Sequence, residues 1–175
     1  MYDSTYVDSL LKSIYSDPES FETLYMLLRK DVFACAYSIL TNIELSEDAV
    51  NETFIRLYSL SRNYTPQGYA KAYILKICKN VALEIKRQHS NHIFTEELPE
   101  QICYSNNDDS VFVEQLLSKL SDKERQVMIL HYYSDLTFKE IAKILSIPES
   151  TVKWYHKKAL SKCRKRALCV YSTNY

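Results

Sequence analysis

A chain of 175 residues with a single glycine, Gly68, has almost no means of making the left-handed turns that strands need to reverse direction. Four prolines add little further punctuation. Such a chain is expected to be all-α, with helices joined by short connections. Its length suits one ordinary domain or two small ones. A hydrophobic share of 46% and a charged share of 25% fit a soluble globular protein. No apolar run approaches the roughly 20 residues of a membrane helix. The start, Met1-Tyr2-Asp3-Ser4, lacks the basic and apolar blocks of a signal peptide. A cytoplasmic protein without membrane insertion is expected.

Hydrophobic spacing places the helices. Asp17-Pro18-Glu19 reads as a helix start, with Asp as N-cap and Pro in the first turn. Phe21, Leu24, Tyr25, Leu28, Val32, Cys35, Ala36 and Ile39 then recur every three or four positions. Ser46-Glu47-Asp48 reads as the next start, followed by Ala49, Val50, Phe54, Leu57 and Tyr58. Residues 61–68, with Asn63, Pro66 and Gly68, form a loop. A third helix covers about Tyr69 to Gln88. Ile74, Ile77, Cys78, Val81 and Ile85 make its apolar stripe. Lys76, Lys79, Asn80, Lys86 and Arg87 lie on the opposite arc, where Leu83 is out of place.

Residues 89–109 hold Pro99, several acids and Ser105-Asn106-Asn107-Asp108-Asp109, and no helical period survives. This reads as an acidic linker between two helical domains, 1–92 and 110–175, with residues 93–109 as the connection. Val111 to Leu120 is expected as one helix. Ser121-Asp122-Lys123-Glu124 and Thr137-Phe138-Lys139-Glu140 are capping-box sequences that start two more, the first running to about Tyr133. Ser146-Ile147-Pro148 ends the short second helix, and a basic helix runs from about Glu149 to Arg166.

Net charge is zero, but its distribution is not even. Residues 1–60 carry 4 Lys/Arg against 10 Asp/Glu, and residues 93–122 carry 1 against 7. Residues 61–92 carry 6 against 1, and residues 123–175 carry 11 against 4. Two separated basic blocks provide two places for a polyanion.

The second block has the form of a helix-turn-helix: a short helix, a turn and a basic helix whose first residues meet base edges in the major groove. On its wheel Val152, Ala159 and Cys163 face inward, flanked by Tyr155 and His156. Ser150, Lys153, Trp154, Lys157, Ser161, Arg164 and Lys165 face out. Glu149, Ser150, Thr151, Lys153 and Trp154 stand near the start of this helix, and Lys157 and Lys158 supply phosphate attraction. These seven residues are the candidate DNA contacts of the helix. His156 is expected to pack inward.

No catalytic residues, metal site or cofactor are expected. His89, His92, His131 and His156 lack metal-ligand spacing, and one glycine cannot build a phosphate loop. The five cysteines, Cys35, Cys78, Cys103, Cys163 and Cys169, form no CxxC pair and are expected as reduced thiols.

The segments Leu120–Val127 and Ile141–Lys153 closely resemble region 4 of bacterial RNA polymerase sigma factors. Output domains of response regulators share the Thr-Val-Lys entry to the recognition helix, but they follow an α/β receiver, and nothing here alternates strand and helix. Asp48-Ala49-Val50-Asn51-Glu52-Thr53-Phe54 resembles the family's region 2.2 motif. Ala72 to Glu84 resembles its region 2.3–2.4 helix without a gap. With no room for regions 1.1 or 3, the resemblance is to the small extracytoplasmic-function (ECF) type of the sigma-70 family.

That resemblance implies a non-enzymatic factor for promoter recognition and transcription initiation. Its implied partners are core RNA polymerase (through the β′ coiled coil and β flap), promoter DNA and an anti-sigma factor. Asp48, Asn51, Glu52 and Phe54 would bind core polymerase. Tyr64, Tyr69, Lys71, Tyr73, Lys76, Lys79, Asn80 and Arg87 would bind the −10 element, since unstacked bases favour a basic face with aromatic neighbours. The sequence departs from the family's usual Trp at Tyr73, Gln at Asn51, Arg at Tyr155, apolar residue at His156 and small polar residue at Trp154. Two other readings stay open on the residues: a sigma-like DNA-binding regulator that does not support initiation, and a module that sequesters a partner through its helices.

Overall fold

The computed structural model describes residues 4–90, 117 and 119–172, with side chains for 5–89, 117 and 119–165. Seven helices occur among the described residues: α1 (Ser4–Ser13), α2 (Pro18–Leu40), α3 (Ile43–Ser61), α4 (Ala70–Ser90), α5 (Asp122–Tyr132), α6 (Phe138–Leu145) and α7 (Glu149–Ser172). No strand occurs among them.

Helix α2 starts as its sequence predicts. The Asp17 carboxylate accepts from the backbone N–H of Glu19 (3.2 Å) and Ser20 (3.1 Å), with Pro18 next to the cap. Helix α3 starts earlier than the acidic Ser46-Glu47-Asp48 suggests. Asn42 is the true cap, accepting from Leu45 N–H at 2.9 Å, and Ser46 bonds back to the Asn42 carbonyl from inside the helix. Both capping boxes form, Ser121 with Glu124 and Thr137 with Glu140. Helix α7 runs past the expected end at Arg166 to Ser172. The linker 93–109 and most of the helix expected over 111–120 lie outside the described residues. Lys119 and Leu120 form the turn that enters α5.

Helix α1 was not expected from the sequence. Ten residues cannot hold a helix alone in water. Val7, Leu10, Leu11 and Ile14 fall on one side, and all are buried against α2, α3 and α4.

The scarcity of glycine shows in the backbone. Thr41, Asp135 and Ser146 adopt left-handed φ of 52°, 53° and 56° at or near helix ends, where glycine is usual. Gly68 has φ 78° with open space around its Cβ position, so the loop needs it for backbone angle and not for room.

Leu24, Leu28, Val32 and Ile39 of α2 pack with Val50, Phe54 and Leu57 of α3 and Ile74, Leu75 and Val81 of α4. Cys35 and Cys78 behave as buried hydrophobes. Hydrogen bonding with Cys78 and burial push the Cys35 thiol well above its ordinary range. Val127, Leu130, Ile141, Ile144 and Val152 of α5–α7 continue the same cluster. Helix α5 rests on α2 and α6 rests on α4. Arg125 donates to the Ser38 carbonyl at 3.2 Å across that contact.

Candidate nucleic-acid interface

Helix α6, the Ser146 turn and α7 form the helix-turn-helix. The N–H groups of Ser146 and Ile147 both return to the Ala142 carbonyl, which ends α6 sharply. Val152 and Ala159 are fully buried and fix which side of α7 faces in. Glu149, Ser150, Lys153, Trp154 and Lys157 are exposed, and Thr151 is half-buried. Lys153 pairs with Glu149 at 2.7 Å along its own first turn. Trp154 is 53% exposed, as its wheel position predicts. The Lys158 ammonium lies 4.7 Å from the Trp154 ring centroid.

Lys158 is exposed but engaged. It sits 3.6 Å from Glu124, which is 0% exposed and also receives the Lys162 ammonium at 2.6 Å. Burial would raise the Glu124 pKa. The Lys162 bond and the Ser121 N–H outweigh it and hold the carboxyl below its ordinary value. One buried acid thus ties α5 to α7. His156 packs as expected, 5.2 Å from His131 and 5.0 Å from Phe138, with Tyr132 Oη 3.0 Å from its Nε2. Burial, then the His131 charge, lowers its pKa.

Helix α4 holds the second group of candidates. Lys76, Asn80 and Arg87 are exposed. Lys71 and Lys79 are not free. Lys71 Nζ donates to the Ser134 carbonyl at 2.7 Å and pairs with Asp31 at 3.0 Å. Lys79 Nζ donates to the Ile144 carbonyl at 3.0 Å. Burial, then Lys123 and Lys76, lower the Lys79 pKa. Leu83, out of place on the wheel, packs against the core. Tyr69 is exposed with the Lys143 ammonium 4.3 Å from its ring centroid. Tyr64 and Tyr73 are half-buried, their rings 5.4 Å apart. Tyr64 also donates to Asp8 of α1.

On α3, Asp48 and Asn51 are exposed, and Glu52 pairs with Arg56 at 2.6 Å. Phe54 is a correction to the sequence reading. It is 2% exposed, with its ring 4.8 Å from Tyr25 and 6.2 Å from Phe21, so it supports the helix from below and presents nothing outward. Ile55 takes the outer position, 62% exposed, on the side of Asp48, Asn51 and Glu52. The wheel could have found it, since 48, 51, 52 and 55 share one face.

Known proteins give this arrangement a family. Residues 24–92 match Sigma-70 region 2, and residues 116–165 match Sigma-70, region 4. The ECF RNA polymerase sigma factor SigW of Bacillus subtilis is 26% identical over 156 residues, spanning 78% of this chain and 83% of that protein. SigM of the same organism is 24% identical over 161 residues, spanning 87% and 96%. Among solved structures, the sigma factor RpoE in complex with the anti-sigma factor NepR from Bartonella quintana superposes with a TM-score of 0.68 at 21% identity, covering 84% of this chain and 96% of that one. CnrH in complex with the cytosolic domain of CnrY gives 0.68 at 15% identity, covering 95% and 97%. These two structures share the all-helical fold, and the two matched regions lie in family order on one chain. The chain belongs to the sigma-70 family of RNA polymerase sigma factors, and within it to the ECF type.

Proposed function

We propose that residues 1–92 bind core RNA polymerase and the −10 element, that residues 110–175 read the −35 element, and that 93–109 connect them. As a sigma factor the chain directs promoter recognition with core polymerase. It does so by binding, without chemistry of its own. No helix among the described residues is long and apolar enough to cross a membrane. A cytoplasmic location belongs to the proposed reading, since polymerase and promoter DNA are its partners.

The observation that carries the reading is the exposed start of α7 together with the acidic face of α3. Glu149, Ser150, Lys153 and Trp154 stand where a recognition helix meets base edges, while Lys157 offers a phosphate contact. Asp48, Asn51 and Glu52 suit a basic partner surface such as the β′ coiled coil, with Ile55 as its apolar centre. The β flap is the expected contact of the C-terminal helices. An anti-sigma factor is a further partner, of the class that holds RpoE in its complex.

Run-off transcription with purified core polymerase tests the reading. Transcripts that start at one site and require this chain support it. DNA binding without core binding would reject it in favour of a regulator that does not initiate. Asp48→Lys should weaken core binding by about tenfold or more while sparing DNA binding by α5–α7. Equal loss of both in a folded variant would remove Asp48 from the polymerase face.

A further inference from the structure

Asp8 is the one charged residue on the buried side of α1, and it is 3% exposed. Its neighbours on that side, Val7, Leu10, Leu11 and Ile14, are apolar. Asp8 Oδ1 accepts two donors from the loop between α3 and α4: the Tyr64 hydroxyl, and the Gln67 backbone N–H at 3.2 Å. Asp8 Oδ2 is buried without a hydrogen-bond partner. A buried carboxylate oxygen left unpaired is destabilising. An apolar residue here would pack at lower cost, so stability alone does not explain an acid at this position.

One donor, Tyr64, precedes the loop's exposed stretch and the other, the Gln67 N–H, lies within it. Tyr64 is half-buried against Tyr73, whereas Thr65, Pro66, Gln67, Gly68 and Tyr69 are exposed. The Tyr69 hydroxyl donates to the Gln67 side chain, so the two exposed polar groups are held together. Burial, then the Asp8 bond, raises the Tyr64 pKa, which keeps its hydroxyl protonated and donating. Gly68, at φ 78°, lets the chain turn from this anchor into α4.

We propose that Asp8 is a positioning residue for −10 recognition: one buried oxygen holds Tyr64 and the Gln67 backbone together and sets the shape in which Gln67 and Tyr69 meet an unpaired base. This rests on the assignment of the loop to the −10 element. Asp8 lies ahead of residues 24–92, where the region 2 match falls. It touches no DNA itself and acts through Tyr64 and the Gln67 backbone. Preset donors and aromatic faces bind an extruded base without first ordering the loop.

The test is selection by the holoenzyme, this chain with core polymerase. The probe is a fork-junction DNA library with a randomised single-stranded segment. Wild-type holoenzyme should enrich a defined sequence in that segment. Asp8→Ala and Tyr64→Phe should each lower that enrichment about five- to tenfold. Asp8→Asn, which keeps an accepting oxygen, should retain it. Enrichment from a double-stranded −35 library and core binding should stay at wild-type level in all three, read at a temperature where circular dichroism shows each variant folded. If wild type enriches a sequence and Asp8→Ala enriches it equally, the Asp8 role is overturned and the −10 assignment stands. Loss in Asp8→Asn equal to that in Asp8→Ala also overturns it. If wild type enriches no single-stranded sequence, the −10 assignment falls and this role with it.

Discussion

Helices α4 and α7 both carry lysines at helical spacing, and the fold uses them differently. On α4, Lys71 and Lys79 donate to the backbone carbonyls of Ser134 and Ile144, and Lys86 donates to Ile39 O at 3.2 Å and pairs with Asp122 at 3.1 Å. On α7, Lys162 and, more loosely, Lys158 turn toward buried Glu124, while Lys153 and Lys157 stay exposed. A basic stretch therefore marks where positive potential is, not which ammonium groups are open to a phosphate. On α4 the cations also hold α5 and α6 in place. DNA that uses Lys71 or Lys79 must compete with the chain's own carbonyls. On α7 the two jobs are divided along the helix, with the base-reading turn open and the anchoring turn tied down.

The largest expected effect tests that anchor. Glu124→Ala removes a capping-box acid and the partner of two lysines. It should lower unfolding stability by about 2–3 kcal/mol in urea titration, discounted because both lysines are partly solvated. A loss below about 0.5 kcal/mol would show that α7 is held by Val152 and Ala159 packing alone.

The next separates the two helices directly. Lys79→Ala should cost about 1 kcal/mol of stability through the freed Ile144 carbonyl. Lys157→Ala should leave stability within about 0.5 kcal/mol but reduce the salt slope of DNA binding by about 1. The opposite pattern would break the comparison.

A smaller effect concerns acid. The folded pKa of His156 lies below its ordinary 6.5. As pH falls below about 6.5, the unfolded chain takes up its proton first, so stability present above that pH is lost through the lowered pKa. His131 and Tyr132 of α5 face the ring, with Phe138 of α6 beside them. Thermal melting of wild type and His156→Leu between about pH 7.5 and 5.5 checks this, and the variant should show the flatter profile. An equal slope in both would assign the acid sensitivity elsewhere.

The smallest concerns the turn between α6 and α7. Ser146→Gly should stabilise by about 0.5–1 kcal/mol, since φ 56° suits glycine, and leave DNA binding unchanged. A destabilised variant would mean that the serine side chain matters to the turn.

Local features of the sequence were legible where local free energies decide them. Asp17, Ser121 and Thr137 cap their helices as their spacing predicts, because a cap needs only partners two or three residues away. Ser46-Glu47-Asp48 misled because Asn42 offered a better cap four residues earlier. Helix α1 escaped notice because it is too short to declare itself and is stable only through burial. Phe54 and Ile55 show the same limit at the site. Both sit in the motif-bearing helix, and only packing against Phe21 and Tyr25 reveals which one is covered.

By itself the sequence determined an all-helical chain, two basic blocks, a helix-turn-helix and the family resemblance. The first three rest on spacing, caps and charge within a turn or two of helix, and the resemblance on motif residues that are near neighbours in the chain. Only the tertiary structure decided which of the named side chains are available. Lys71 and Lys79 meet carbonyls some sixty residues away, and Tyr64 meets Asp8 across 56. Contacts at that range depend on how whole helices pack, and no local pattern encodes them.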